Sequence, residues 1–218
     1  MQQMKQMTTQ GRNIETSSFS IIDAEVAEHV DISHLSDAQW NVVRRAIHTS
    51  GDFEYGALFS FSDNAMKAGI EAIRAGCPII SDVTMIKSGL SAQRMNVFGN
   101  KADCFISDAD VIERAKESGG TRAVEAMRKA RDIGLLDGAI VGIGNAPTAL
   151  YEILRMVAEN EIKPALIIGI PVGFVKAVES KLALTEQSDV DYIASMGRKG
   201  GSPLIVSSLH ALMVEAAK

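Results

Sequence analysis

Cysteine, aromatic residues and long apolar runs are all scarce in this chain of 218 residues. The two cysteines, Cys77 and Cys104, stand apart without a CxxC or zinc-ligand spacing. They therefore read as buried thiols of a reducing compartment, not as a disulfide framework or a zinc module. Aromatics make up 5% of the residues, and nowhere do they alternate with Lys or Arg. With a net charge of −5 and no basic tail, nucleic acid and anionic membrane are excluded as main partners. A local cluster of Arg can still hold an anionic small molecule. No stretch approaches the ~20 apolar residues that span a bilayer. The first 13 residues are polar and do not read as a secretory signal, so a cytoplasmic protein is expected.

What is present is a 46% hydrophobic complement with abundant Gly, Ala, Ile and Val, the composition of helices packed closely on a sheet. The length suits one domain, since single cores stop growing near ~250–300 residues. Residues 1–16 look like a flexible lead-in, and 17–218 like a single α/β domain. Residues 17–22 suggest a short turn or strand before a helix over 23–29. Ser36 is a good N-cap for a helix over 37–49, on which Trp40, Val43 and Ile47 share a face. A second helical pattern runs over 63–75, closed by Gly76.

From there the chain alternates. Strands are expected over 77–82, 102–107, 138–142, 165–170 and 192–196, and helices over 108–118, 121–133, 146–160, 173–184 and 202–217. Short apolar strands each followed by a helix imply a three-layer α/β/α, Rossmann-like fold, its mainly parallel sheet having about five strands. Ligands of such sheets bind outside the carboxyl ends of the strands. The polar or Gly-rich segments 81–84, 142–148, 169–173 and 197–202 fall there.

Of these, Gly142-Ile143-Gly144-Asn145-Ala146-Pro147-Thr148 lacks the third glycine of a dinucleotide fingerprint and has Pro147 in its place. It reads first as a tight turn with Pro at the first helical position, with an anion or amide-contact site at the helix start as the other possibility. Gly197-Arg198-Lys199-Gly200-Gly201-Ser202 leaves two readings open, an exposed basic turn or a carboxylate-holding helix entrance. The four histidines form no metal-ligand spacing, so no bound metal is expected. His29 and His34 flank a loop, and His210 sits inside the last helix. His48 closes the helix over 37–49, where the dipole and Asp52 favour imidazolium while Arg44 and Arg45 oppose it. Taken alone, it reads first as a helix-terminal cap.

Together, SSFSIID, VVRRAIHTSGDFE, SDVTMIKSGL, GNAPTAL, GIPVGFVKAVESK and GRKGGS resemble, in order, the signature blocks of the precorrin-8X (cobalt-precorrin-8) methylmutases of cobalamin biosynthesis. The resemblance spans residues 17 to about 212. It implies an isomerase that moves a methyl group from C-11 to C-12 of the macrocycle by an intramolecular 1,5-shift, giving hydrogenobyrinate or its cobalt counterpart, as a homodimer and without a separate cofactor. It makes His48 the catalytic acid that protonates the ring-C region. It also implies substrate carboxylate contacts from Ser17, Ser18, Arg122, Arg198 and Lys199, with Glu179 of the ESK block orienting a cation. Lys176, Val178 and the 86–88 stretch depart from the usual family residues. A non-catalytic tetrapyrrole carrier on the same fold and a nucleotide-dependent oxidoreductase are the competing readings.

Overall fold

The computed structural model describes residues 8–218. The chain opens with helix α1 (Thr9–His29), followed by α2 (Asp37–Ser50), the short α3 (Tyr55–Leu58), β1 (Phe59–Phe61) and α4 (Ala65–Arg74). Then come β2 (Pro78–Ser81), α5 (Thr84–Gly89), α6 (Ala92–Phe98), β3 (Lys101–Asp103), α7 (Ala109–Ser118) and α8 (Arg122–Asp132). The last third holds β4 (Ile140–Ile143), α9 (Pro147–Ala158), β5 (Leu166–Gly169), α10 (Ala177–Glu186), β6 (Tyr192–Ser195) and α11 (Ser202–Ala216).

The strands form a six-stranded sheet in the order β1-β6-β5-β4-β2-β3. All neighbours are parallel except β1, which pairs antiparallel with β6 through Phe59 opposite Ser195. The apolar sequences IVGI of β4 and LIIG of β5 are buried throughout, as strands covered on both faces must be. One core lies between the sheet and α2, α4, α5 and α11, the other between the sheet and α7, α8, α9 and α10. The α/β/α architecture is the expected one, with a sixth strand added. That strand, FSF, is too short for its alternation to register, and pairing with β6 defines it.

The first thirty residues depart most from expectation. Instead of a lead-in to residue 16 and a turn or strand over 17–22, α1 is one continuous helix from Thr9, whose N-cap Thr8 accepts the Gly11 N–H at 3.1 Å. Residues 1–7, also part of the expected lead-in, lie outside the described residues. Only Ile22 and Val26 of α1 are buried, so its sequence carries no apolar stripe. Polar contacts hold it instead: Arg44 pairs with Asp23 at 2.7 Å, Arg45 with Glu15 at 2.9 Å, and the Trp40 indole N–H donates to Asp23 at 3.0 Å. The third strand is also shorter than 102–107, and α10 begins at Ala177 instead of residue 173. There Gly173 at φ 148° and Lys176 at φ 63° keep the chain out of helical geometry.

The direction of strand succession reverses between β2 and β4. That gap is closed by Asp82, which follows β2 and is fully buried. Its carboxylate accepts the N–H groups of Gly144 (3.1 Å), Asn145 (2.8 Å) and Ala146 (2.7 Å), the entry to α9. Burial pushes its pKa above the ordinary carboxylate value, while these donors work the other way. Gly144 is required beside it, because a Cβ there would lie 2.9 Å from the backbone of Ser202 at the start of α11. Replacing Asp82 with Ala leaves buried donors without an acceptor and is expected to cost about 3 kcal/mol in urea unfolding, with the m-value unchanged.

Candidate functional site

The carboxyl edge of the sheet gathers the ends of α2, α5, α9, α10 and α11 with the turns that follow β5 and β6. Helix α2 is fixed at both ends. Ser36 and Gln39 form a capping box at its start, and Gly51 at φ 69° closes it. His48 therefore projects from the final turn as an exposed side chain. Its imidazole meets Phe19 of α1 edge-on, with ring centroids 5.3 Å apart. The guanidiniums of Arg44 and Arg45 lie over the same Phe19 ring, at 4.6 and 5.2 Å.

The charges about His48 are arranged differently from what the sequence suggests. Arg44 and Arg45, expected to oppose an imidazolium, are each matched by a carboxylate of α1, Asp23 and Glu15. Asp52, expected to favour one, is held by Lys199, whose ammonium also pairs with Glu54 at 2.6 Å. That bond keeps the Asp52 carboxyl below the usual carboxylate range and pushes Lys199 above the ordinary lysine value.

Next to His48, Arg45 and Thr49 line a cleft of about 290 Å³ with Met85, Gly89, Val206 and His210. His210 accepts the Ser91 N–H at 3.0 Å, which requires an unprotonated Nε2. Burial, then the nearby charges of Arg94 and Arg45, lower its pKa to about 4. Across the edge, the loop after β5 exposes Val172, Phe174 and Val175, the last two at 81%. Arg198 lies over the Phe174 ring at 5.2 Å.

Arg122 is the first residue of α8 and is exposed; Thr121 beside it meets Thr148 of α9 at 3.1 Å, which places it at the same edge. Glu179 stands in the first turn of α10, where its charge helps raise the Tyr151 pKa, second to burial. Ser17 and Ser18 lie on α1 immediately before Phe19, the residue that meets the His48 ring. Of the candidate residues, Lys199 is tied through Asp52 to the segment that follows His48, while Arg122 opens α8 and Glu179 stands at the start of α10. The anion possibility at the start of α9 resolves differently, since Asp82 is the anion that occupies those N–H groups. Phe19, Met85 and Phe174 were not singled out in the sequence, though each sits inside one of the signature blocks. Among the described residues, no group of three or more His, Cys, Asp or Glu side chains is placed to hold a metal ion.

A family model described as precorrin-8X methylmutase (CbiC) matches residues 13–215. The chain belongs to the precorrin-8X methylmutase family. It is 48% identical to a cobalt-precorrin-8 methylmutase of Leptospira interrogans, over 99% of this chain and 98% of that one. It is 37% identical to a precorrin-8X methylmutase of a Sinorhizobium species, over 93% of each. A crystal structure of the precorrin-8X methylmutase from Thermus thermophilus superposes with a TM-score of 0.87 at 47% identity, covering 94% of this chain and 96% of that one.

The departures from the usual family residues are accommodated within the fold. Ile86 is buried and Lys87 pairs with Asp103 at 3.2 Å, while Lys176 is exposed in the loop before α10. His29 stacks on Phe53 at 4.3 Å, and His34 is exposed. For His210, a folded-state pKa near 4 lies below the unfolded value near 6.5, so the unfolded chain takes up the proton first. Stability is therefore full above about pH 6.5 and falls as pH drops toward 4. His210→Gln is expected to remove on the order of 2 kcal/mol of that acid dependence in denaturation measured across this range.

Proposed function

We propose that the methylmutase reaction of this family takes place at the carboxyl edge of the sheet, with His48 as general acid toward precorrin-8X or cobalt-precorrin-8. The observation that carries this reading is an exposed imidazole in the last turn of a helix capped at both ends, between Arg45 and Thr49 in sequence, two residues that line a cleft at the carboxyl edge. The substrate is a broad, flat macrocycle bearing many carboxylates. Met85, Val172, Phe174 and Val175 offer it apolar surface, and Arg122 and Arg198 offer it guanidiniums. Among the described residues, neither arginine has a carboxylate partner, so each is available for a bidentate grip. Ser17 and Ser18 add hydroxyl donors from α1, while Glu179, expected to orient a cation, is exposed in the first turn of α10 and pairs with no cation among the described residues. Lys199, expected among the carboxylate contacts, has its ammonium engaged by Asp52 and Glu54 instead.

Protonation of the ring-C region by His48 draws electron density from the conjugated system. The bond from C-11 to the methyl carbon then breaks as the bond to C-12 forms, and the proton returns from the rearranged macrocycle to the imidazole, so that substrate and product remain isomers. A positioned acid typically contributes ~10²–10⁴-fold. Because the shift is intramolecular, atoms and electrons balance without a separate cofactor, and any cobalt belongs to the substrate. The working unit is taken as a homodimer in the cytoplasm. In support, Ile14 and Ile21, two turns apart on α1, are 61% and 55% exposed, which is apolar surface a second subunit would cover. No helix among the described residues is long and apolar enough to cross a membrane.

His48→Ala is expected to abolish conversion of precorrin-8X to the orange hydrogenobyrinate chromophore while the product still binds; full turnover in that variant rejects the acid. Binding without turnover in the unmodified chain would instead favour a carrier. Arg122→Ala should raise KM about tenfold or more with a smaller effect on kcat, read from initial rates.

A further inference from the structure

Lys199 lies in the turn between β6 and α11, and three features of that turn leave it little freedom. The Arg198 carbonyl accepts the Gly173 N–H at 3.1 Å, and the Gly201 N–H donates to the Ile170 carbonyl at 2.9 Å. The Lys199 carbonyl accepts from the ammonium of Lys181 at 2.9 Å. Lys181 is fully buried in α10, and burial lowers its pKa to about 8. A Cβ on Gly200 would lie 2.4 Å from the Ile170 carbonyl oxygen, so the chain runs hard against the loop after β5. From this fixed base the Lys199 side chain reaches back across the edge to Asp52 and Glu54.

Those two carboxylates belong to the segment that leaves α2. The Ser50 hydroxyl donates to the Ala46 carbonyl at 2.8 Å and accepts the Asp52 N–H at 3.2 Å. Asp52 in turn accepts the Glu54 N–H at 3.0 Å. This turn therefore sets two carboxylates close together, directly after the helix turn that carries His48. Without a shared cation they repel, and the helix end loses its only ion-pair tie to the turn after β6 among the described residues. Lys199 reads differently from Arg122 and Arg198, whose guanidiniums are left for an outside carboxylate.

We propose that Lys199 is a positioning residue for His48, clamping the Asp52–Glu54 turn to the buried Lys181 anchor and so fixing the helix end that presents the imidazole. The clamp acts through His48 and does not grip the substrate. It deepens the assignment of His48 as acid and rests on that reading.

The test uses the full chain and steady-state kinetics on precorrin-8X. Lys199→Met should lower kcat about tenfold with KM within about twofold, and Lys199→Arg, which can bridge both carboxylates, should recover most of the loss. The double variant Asp52→Asn/Glu54→Gln keeps the lysine and removes its partners, and it should lose kcat to a similar extent. If Lys199 instead grips substrate, Lys199→Met raises KM with kcat intact and the double variant, its ammonium freed, lowers KM. Either result overturns the clamp. Titration with hydrogenobyrinate identifies folded variants, and if Lys199→Met does not fold, the double variant decides.

The acid assignment is scored separately by His48→Ala. In that background a clamp acting through His48 makes Lys199→Met cause no further fall in the residual rate. An additive fall there overturns the proposal even where His48 stands as the acid.

Discussion

The buried carboxylate of Asp82 is the constraint on which the carboxyl edge depends. In an open parallel sheet the crevice for ligand lies where strand order reverses, which here is between β2 and β4. A helix start in such a crevice presents unpaired N–H groups and a positive dipole end, the usual seat of a phosphate. Asp82 fills that seat from within, using donors at the entry to α9. The switch point becomes a rigid seam, and anionic ligand is left to be met by side chains farther out along the rim. This separates the fold from nucleotide-binding relatives of the same architecture more firmly than the missing third glycine does, because the donors themselves are occupied.

An acidic protein that receives a polyanion must dispose of its charges unevenly. Arg44, Arg45, Lys87 and Lys199 all pair with the protein's own carboxylates. On the outer face, Arg128 bridges Glu125 and Glu152, and Arg155 meets Glu152 and Glu161. The more exposed of these pairs, such as Lys87 with Asp103, stabilise little individually, roughly 0–1 kcal/mol, but all of them remove carboxylates from play. What remains at the edge is a pair of guanidiniums without carboxylates, Arg122 and Arg198, on an apolar rim. The net charge of −5 is a sum over the whole surface. It says little about the field a ligand meets in this place.

Sequence periodicity sufficed where one physical signal dominated. The central strands are buried on both faces, so their apolar runs mark them; Ser36 and Pro147 mark helix starts because each satisfies or relieves a terminal backbone group. Helix α1 escaped because its attachment is polar and long-range, through Glu15 and Asp23 to α2, and no local pattern encodes such pairs. Strand β1 escaped because three residues carry no period. At the site, residue types and family blocks pointed to His48, Arg122 and Arg198, whereas the partnering of Lys199 and the role of Asp82 are contacts across more than sixty residues of sequence.

His48 shows why the surrounding frame matters more than the residue type. A lone exposed imidazole at a helix end is unremarkable. Here its ring is placed against Phe19, its neighbouring arginines are neutralised from α1, and the carboxylate four residues on is held by Lys199. Among the described residues the imidazole is thereby left without a carboxylate partner. For the acid role proposed for His48, that isolation matters, because an adjacent free carboxylate would compete with the substrate for the proton. The ion pairs around α2 thus serve the chemistry through what they withhold from His48 as well as through the geometry they fix.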